Sequence, residues 1–485
     1  MNIKTGNYNK HIFADSKYKK QGVTSKEDII LINPPPLARR EQHDTLNHPH
    51  LGLAYLSAYL RQNNFNCKPI DAKFERMNIK NLTQSLKKYQ PILVGVTAMT
   101  HEIGQAAHVA KLAKELFPEA KTVLGGAHAT ALPKETLLQF PEFDMIVVGE
   151  GEITLLELVK TLSRGGELSQ VAGLVFRSSS GTININIHRE FIENLDSLPF
   201  PAWDLFPPSK TYSLITQRGC PFHCKFCMRV SGNIVRKRSP ENILGEFKLD
   251  VNQLGANNIL VEDESFGVDK KQSYILLNSL IETGLNKKMA WVTQTRVDLV
   301  NAEFFQKLKD AGCTWVGFGV ESGNEKILKE IGKGITLKKA RESISLAKKI
   351  GLQTGSYFIL GHPYETRQTA WDTINFAAKL NTTTVAFGIM VPYPGTEIRE
   401  MALRGEGGYR IISSNWADFN KTIGSSLELK TLPRKELEKL QLMGYLLFYL
   451  KNWRLWDFLK LFLGERRVVF AVIKKILFGQ KSVKL

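Results

Sequence analysis

The sequence predicts an α/β protein in which two units of alternating strands and helices follow each other, with a helical region at the C-terminus. Short apolar runs alternate with helical patterns over residues 28–165, the pattern is lost over residues 166–205, and it resumes over residues 206–420. Strands that alternate with helices form parallel sheets covered by helices. With 43% hydrophobic residues, the 485-residue chain can fill the cores of two or three domains.

The first unit follows residues 1–27, which are rich in Lys and Asn and predict a loose leader. Its strands are predicted at 29–32, 68–70, 92–97, 122–124 and 145–148, with helices near 51–62 and 105–117 between them. This order predicts an open, Rossmann-like parallel sheet with helices on both faces.

Small or polar residues follow four of these strands. They are Asn33 and Pro34 after the first strand, Thr97 after the third, Gly125, Gly126 and His128 after the fourth, and Gly149 and Glu150 after the fifth. Ligands of open α/β sheets bind outside the carboxyl ends of the strands, where glycines let the backbone approach a bulky ligand closely. These eight residues are therefore expected to form a ligand site.

The second unit begins after residues 166–205, which end in a proline-rich stretch and predict a stiff connector. Its six strands, predicted at 212–216, 258–261, 290–295, 315–318, 353–359 and 384–390, indicate a partial (β/α)6 barrel of the TIM type. The active sites of such barrels lie at the carboxyl ends of the strands. The candidate residues there are Glu262, Asp263, Glu264, Arg296, Glu321, Ser322 and Gly361.

Three of the five cysteines form a CxxxCxxC cluster, Cys220, Cys224 and Cys227, directly after the first barrel strand. Three thiolates on one loop can ligate three irons of a cubane iron–sulfur cluster and leave the fourth iron open for a substrate or cofactor. The alternative is structural zinc, which normally needs paired CxxC knuckles and a fourth ligand. His223 lies between the cysteines, where it is poorly placed to be that ligand.

The cysteine cluster, with Phe226 before its third cysteine, resembles that of the radical S-adenosylmethionine (SAM) superfamily. Five further stretches are similar to members of that family: Val-Glu-Asp-Glu-Ser-Phe (261–266), Thr-Arg-Val-Asp (295–298), Gly-Val-Glu-Ser-Gly (319–323), Ile-Leu-Gly-His-Pro-Tyr-Glu-Thr (359–366) and Pro-Tyr-Pro-Gly-Thr (392–396). With the NPP, GGxHxT and GEGE loops of the first unit, the chain resembles the cobalamin-binding subgroup. That subgroup includes phosphinate and hopanoid C-methyltransferases and the anaerobic magnesium-protoporphyrin ester cyclase. The resemblance covers about residues 28–430.

The resemblance implies a cobalamin-binding domain at 28–165 and a radical SAM barrel at 206–420, and the charge and spacing of the residues that follow predict a helical, basic region at 421–485. The three cysteines would hold a 4Fe-4S cluster whose open iron binds SAM. Glu262, Asp263 and Glu264 would accept from the SAM ammonium, Arg296 would pair with its carboxylate, Glu321 and Ser322 would bond the ribose, and Phe226 and Gly361 would pack near the cofactor. A mutual ion pair of Arg296 and Glu321 is the structural alternative.

Cobalamin would be held by the eight strand-end residues of the first unit. The DxHxxG loop by which many cobalamin proteins supply a histidine to cobalt is absent, and the nearest string, from His101 to Gly104, has Met99 in place of the aspartate. Cobalamin is therefore expected to bind without a histidine from that motif. His128 could meet the corrin or could be a hydrogen-bonded surface residue.

The function that the resemblance implies is cobalamin-dependent methylation of an unactivated carbon in a small-molecule or lipid substrate. An oxidative cyclase or rearrangement enzyme that uses cobalamin without methyl transfer is the alternative, and a non-enzymatic iron–sulfur or cobalamin sensor is the third hypothesis. A flavodoxin or ferredoxin would supply electrons.

The chain has a net charge of +18, and residues 451–485 contain nine Lys or Arg against two acidic residues. No zinc-finger, RNP or helix-turn-helix motif accompanies this charge, so nucleic acid is not expected as a partner. Aromatic residues interleaved with the charges suggest that residues 441–485 lie on an anionic membrane, whereas helices packed on the barrel are the alternative. The unpaired cysteines predict a cytoplasmic protein, with peripheral attachment to the inner membrane face left open.

Overall fold

The computed structural model describes residues 28–36, 48–422 and 424–458. The predicted leader and the last 27 residues of the predicted tail lie outside these ranges.

The first domain contains a seven-stranded sheet. Its strands are β1 (Asp28–Asn33), β2 (Cys67–Asp71), β3 (Pro91–Thr97), β4 (Lys121–Gly125), β5 (Met145–Val147), β6 (Leu174–Arg177) and β7 (Ile183–Ile185). The order is β2-β1-β3-β4-β5-β6-β7, and the first five strands are parallel while β6 and β7 are antiparallel. The predicted open parallel sheet is confirmed for β1 to β5.

Six helices cover this sheet. They are α1 (Leu51–Gln62), α2 (Ile79–Leu86), α3 (Ile103–Leu116), α4 (Ala127–Ala131), α5 (Pro133–Gln139) and α6 (Gly151–Arg164). Their start signals are local: the Asn78 side chain accepts from Asn81 N at α2, and Pro133 begins α5. Gly165, in the left-handed region at φ +65°, ends α6.

Strands β6 and β7 lie inside the stretch that was predicted to be a connector. They pair antiparallel with β5 and with each other, so residues 174–185 extend the first sheet. The prediction missed them because each strand is three or four residues long, which is too short for a clear alternation of apolar and polar residues.

The second domain contains a parallel six-stranded sheet that curves into a partial barrel. Its strands are β8 (Thr211–Leu214), β11 (Asn258–Val261), β12 (Ala290–Thr295), β13 (Cys313–Glu321), β14 (Gln353–Leu360) and β15 (Thr384–Ile389), in the order β15-β14-β13-β12-β11-β8. Two antiparallel ribbons flank it, β9 (Gln217–Arg218) with β10 (Arg236–Lys237) and β16 (Tyr409–Ile411) with β17 (Leu427–Leu429). The six predicted barrel strands are all present.

Eight helices pack outside these strands. They are α7 (Pro240–Asn252), α8 (Lys270–Glu282), α9 (Ala302–Asp310), α10 (Glu325–Glu330), α11 (Leu337–Ile350), α12 (Arg367–Leu380), α13 (Glu397–Leu403) and α14 (Arg434–Lys451). Most begin at a side-chain cap, as Ser239 does for α7 and Asp269 for α8. The buried aromatic side chains of this domain include Trp291, Phe318 and Phe358.

Helix α14 packs on the barrel at β15 and α12. Leu437, Leu440 and Phe448 of this helix are buried. The described part of the tail up to Lys451 therefore follows the packed-helix alternative. Beyond it, Trp453 is 88% exposed and Trp456 is 77% exposed. Within the described ranges, no helix is both long enough and apolar enough to cross a membrane.

Candidate functional site

A cavity of about 360 Å³ lies at the carboxyl edge of the first sheet and reaches the second domain. One wall comes from the ends of β1, β3, β4 and β5 and from the first turns of α1 and α6. The opposite wall belongs to the barrel domain and consists of Ile215, Gln217, Arg218, Val230, Ser231, Glu262 and Glu264. Both domains therefore enclose one space.

Two glycines of the first wall leave room for a ligand. A Cβ atom added at Gly125 or at Gly149 would meet no atom within 4 Å. Gly149 has φ +77°, so glycine is also required there by the backbone, whereas Gly125 has an ordinary φ. The missing side chain at Gly125 thus has no role in the backbone conformation and widens the cavity.

Five of the eight strand-end residues predicted for cobalamin line this cavity, namely Thr97, Gly125, Gly126, Gly149 and Glu150. Asn33, Pro34 and His128 are not among the lining residues. Asn33 is buried and donates to Asp71 Oδ1 at 2.8 Å.

His128 is neither a surface residue nor a cavity residue. It is buried in α4, with its ring 5.0 Å from the ring of Trp416, and burial lowers its pKa to about 4. The surface alternative of the sequence analysis is therefore wrong, and a contact of His128 with the corrin stays a prediction. Packing between the two domains, which the sequence pattern did not reveal, covers this side chain.

Among the described residues, His50 is the histidine that lines the cavity, and the sequence analysis missed it. It is the N-cap of α1, where its Nδ1 accepts from Leu53 N at 3.2 Å. Its backbone N–H donates to Asp71 Oδ2 at 2.9 Å, and burial lowers the pKa of the ring. A neutral ring whose Nδ1 accepts must carry its proton on Nε2. The position before the first helix, on the carboxyl side of β1, was the signal that could have identified it.

The cysteine loop, residues 219–235, leaves the barrel at β9 and returns at β10. All three of its cysteines are free thiols; Cys220 and Cys224 are half-buried and Cys227 is exposed. Cys220 N donates to Gly232 O at 3.2 Å, and Cys227 N donates to Cys224 O at 3.1 Å. A Cβ atom at Gly219 would lie 2.2 Å from Ile234 O, so the crossing of the two loop ends requires glycine.

Polar barrel residues gather against the two aromatic side chains of this loop. The Arg296 guanidinium lies 3.6 Å from the centre of the Phe222 ring, and the Lys333 ammonium lies 5.8 Å from that of Phe226. The ring of His362 is 6.2 Å from the ring of Phe226. Lys333, which the sequence analysis did not select, therefore belongs to the surroundings of the loop.

The side chains of the three consecutive acidic residues after β11 lie in two different environments. Glu262 and Glu264 line the cavity. Asp263 is buried, accepts from Thr216 N at 2.7 Å and from the Thr216 hydroxyl, and burial raises its pKa to about 7. Asp263 is therefore not among the residues that line the cavity, and its contact with the SAM ammonium stays a prediction.

The remaining residues predicted for SAM already have protein partners. Arg296 is bidentate to Asp298 at 3.0 and 2.9 Å, and Glu321, at φ +72°, accepts from Lys333 at 2.9 Å. The alternative of an Arg296–Glu321 ion pair is therefore not what the structure shows. Ser322 is buried 3.2 Å from the Thr373 hydroxyl. Gly361 has φ +89° and accepts from the Tyr409 hydroxyl at 3.1 Å.

The cysteine thiols suit a positively charged metal group. Partial burial raises the pKa of Cys224, and the nearby cations Lys333 and Arg296 act in the opposite direction. Irons of a bound cluster would supply the further positive charge that keeps the thiols deprotonated. In the described residues, no three His, Cys, Asp or Glu side chains converge on a single metal ion. Each thiolate of a cubane ligates a different iron, so such convergence is not required.

Three ion pairs connect the first domain to the two ends of the cysteine loop. Arg218 donates to Glu150 Oε1 at 2.8 Å and to Glu152 Oε1 at 2.6 Å. Arg236 donates to both oxygens of Glu150 at 2.9 Å. Glu150, which was predicted to touch cobalamin, therefore holds two arginines of the barrel domain.

Each of the two domains matches the model of a known protein family. Residues 214–377 match the radical SAM superfamily model, and residues 44–159 match the B12 binding domain model. An uncharacterized methyltransferase of Pyrococcus horikoshii is 34% identical over 87% of this chain and 92% of its own length. The chain belongs to the radical SAM superfamily, in the group that carries a B12 binding domain.

Two further proteins illustrate the range of the group. The anaerobic magnesium-protoporphyrin IX monomethyl ester cyclase of Cereibacter sphaeroides is 28% identical over 83% of this chain and 67% of its own length. The solved structure of the radical SAM methyltransferase TsrM of Kitasatospora setae, with cobalamin and a [4Fe-4S] cluster bound, has a TM-score of 0.68 and 17% identity. That structure covers 86% of this chain and 91% of its own chain, and it shows the fold alone.

The predictions of fold class and family are thereby confirmed. The chain is a cobalamin-dependent radical SAM enzyme, and its cofactors are a [4Fe-4S] cluster, SAM and cobalamin. The role of each predicted site residue stays a prediction.

Proposed function

We propose that the enzyme transfers a methyl group from SAM, by way of cobalamin, to a carbon atom of a small-molecule substrate. The observation that carries this proposal is the single cavity between the two domains, which the Gly125 wall of the B12 binding domain shares with Glu262 and Glu264 of the barrel. Transfer between two cofactors requires that both reach one enclosed space. The methyltransferase name of the Pyrococcus relative supports the same reaction.

Bound cofactors would supply the chemistry, because the reduced cluster cleaves SAM reductively and cobalamin carries the methyl group. The chain's own residues bind and orient. Cys220, Cys224 and Cys227 hold the cluster, and the glycine edge of the first sheet admits the corrin. Glu262 and Glu264 place carboxylates where a SAM ammonium would be attracted. A flavodoxin or ferredoxin is the proposed electron donor, since Cys227 is exposed on the loop.

Methyl transfer is tested with SAM that carries a labelled methyl group. Given a reductant and the true substrate, we expect the label on a carbon atom of the product, with S-adenosylhomocysteine and 5′-deoxyadenosine formed together. The products are measured by mass spectrometry. A changed product without label or S-adenosylhomocysteine would instead assign the enzyme to the cyclase and rearrangement class, which the Cereibacter relative represents.

We expect cobalamin to bind without a protein nitrogen on cobalt. Among the described residues, His50 is the histidine that lines the cavity; its Nδ1 accepts from Leu53 N and its Nε2 carries the proton, so neither nitrogen of this ring is free to ligate. The spin resonance spectrum of the cobalt(II) form should lack nitrogen splitting from the protein in the wild type and in His50→Ala. His101→Ala is the control, because His101 lies outside the cavity lining. Splitting that disappears in His50→Ala would contradict the prediction.

We also propose that the C-terminal region attaches the enzyme peripherally to an anionic membrane. Trp453 and Trp456 are exposed next to Lys451 and Arg454, and the chain that follows them is basic. Exposed tryptophans beside basic residues are typical of helices that lie at a membrane interface. Each lysine or arginine near an anionic surface adds about 1 kcal/mol of attraction.

Flotation with vesicles tests this attachment. The wild type should float with phosphatidylserine-containing vesicles at low salt, and high salt or the double substitution Trp453→Ser with Trp456→Ser should reduce the floated fraction. Ile187→Ser is the matched control, because Ile187 is a 78% exposed apolar residue of the first domain. Wild-type protein that stays in the soluble fraction at low salt would refute the proposal.

A further inference from the structure

Four charged side chains join the first domain to the base of the cysteine loop, and nothing in the proposed reaction uses them. Glu150 and Glu152 lie at the start of α6. Arg218 and Arg236 are directly opposite each other in the β9–β10 ribbon. Each of the four side chains is at most 12% exposed. We call these four residues the charge cluster.

The positive charges of the two arginines are compensated by the negative charges of the two glutamates. Like charges that are directly opposite in a ribbon repel each other, and here both guanidinium groups are largely withdrawn from water. Glu150 accepts hydrogen bonds from both arginines, and Glu152 supplies the second negative charge by accepting from Arg218. Docking of the first domain therefore stabilises the geometry of the ribbon that carries the cysteine loop.

Glu150 has no carboxylate oxygen left over for a ligand. Its Oε1 accepts from Arg218 and Arg236, while its Oε2 accepts from Arg236 and from Ile192 N at 2.7 Å. Glu150 therefore lines the cavity without offering a free hydrogen-bonding group to a ligand.

The charge cluster also closes the cysteine loop at both ends. Arg218 precedes Cys220 by two residues, and Arg236 directly follows the other end of the loop. Arg236 further donates to Ser231 O at 2.9 Å and to Ile192 O at 2.8 Å. A shift of the first domain would therefore be transmitted to the cysteines through two side chains.

We propose that the charge cluster is a positioning device that sets the separation between the iron–sulfur cluster and cobalamin. It joins the wall at Gly149, on the cobalamin side, to the loop that carries the three cysteines. The inference rests on the proposed function in taking both cofactors as bound together. Arg218, Arg236, Glu150 and Glu152 are positioning residues, since they act through the loop.

The test compares Glu152→Gln, Arg218→Gln and their double variant with wild type. Pulsed spin resonance measures the distance between cobalt(II) and the reduced cluster, and product analysis measures 5′-deoxyadenosine formed per methylated product. We expect an unchanged iron content, a longer or broader distance distribution in molecules that hold both cofactors, and a rise of about tenfold or more in the product ratio, because a misplacement of about 1 Å can cost about 100-fold in rate. The double variant should be no worse than Arg218→Gln, since the two residues act as one pair.

Asp204→Asn is the matched control. Asp204 forms another bidentate pair with Arg61 across 143 residues, at 2.6 and 3.0 Å, but this pair is exposed and its residues do not line the cavity. It should leave the distance and the ratio at wild-type values. If Arg218→Gln does not fold, Glu152→Gln carries the test, because it keeps the shape of the side chain and removes only its charge.

An unchanged distance distribution in Glu152→Gln and Arg218→Gln would overturn the inference, as would an equal change in Asp204→Asn. Failure of the proposed function has a different signature. In that case the wild type would not transfer the methyl label, while the distance measurement would still report whether the charge cluster positions the two cofactors.

Discussion

Replacing Cys224 by alanine should abolish both the iron–sulfur cluster and the formation of 5′-deoxyadenosine. Anaerobically reconstituted wild-type protein should hold about four irons per chain, and Cys224→Ala should fall to background, because two thiolates cannot retain a cubane that three hold in this family. Iron and sulfide analysis measures the first effect, and chromatography of SAM cleavage products measures the second.

Cys313→Ala is the control for this change. Cys313 is a free, buried thiol of β13, away from the cysteine loop, so its removal should leave the iron content unchanged. Stoichiometric zinc in wild-type protein, with no iron uptake on reconstitution, would contradict the assignment of the loop to a cluster.

Replacing Gly125 by phenylalanine should remove cobalamin while leaving the iron–sulfur cluster in place. The new side chain would meet no protein atom at its Cβ and would extend into the cavity, so the fold should tolerate it. We expect at least about 100-fold weaker cobalamin binding, which corresponds to about 2.8 kcal/mol, because the ligand must compete with a side chain for the same space. Absorbance of the purified protein measures bound cobalamin.

The matched control is Gly104→Phe, since a Cβ at Gly104 also meets no atom within 4 Å but this glycine is exposed in α3. That variant should bind cobalamin as the wild type does. In Gly125→Phe, SAM should still be cleaved to 5′-deoxyadenosine while label transfer is lost. Normal cobalamin content in Gly125→Phe would show that the corrin binds elsewhere.

The strand ends were predictable because each strand is an apolar run that stops at a polar or small residue. The roles of individual residues were harder to predict from the sequence. The sequence analysis grouped Glu262, Asp263 and Glu264, but successive side chains of an extended chain point to opposite sides, so Asp263 turns to Thr216 while its neighbours line the cavity. That alternation could have been applied to the sequence.

Contacts between the domains could not be predicted from periodicity. Trp416 covers His128, and Glu150 binds two arginines that lie 68 and 86 residues away. Such pairs depend on how two separately patterned units dock, which the spacing of apolar residues within each unit does not encode. The predicted domain bounds likewise stay a prediction, although β6 and β7 place residues 174–185 in the first sheet.

The packing of α14 on β15 has a consequence for aggregation. Within the part of the chain that the structure describes, β15 pairs with a neighbouring strand on one side only, so the backbone groups on its other side could pair with a strand of another molecule. Gln441 donates to Phe387 O at 2.7 Å, and Phe387 N donates to the Tyr445 hydroxyl at 3.1 Å, so α14 occupies this edge. A chain shortened into α14 should therefore associate through the uncovered edge, whereas one that ends after residue 458 keeps the edge covered.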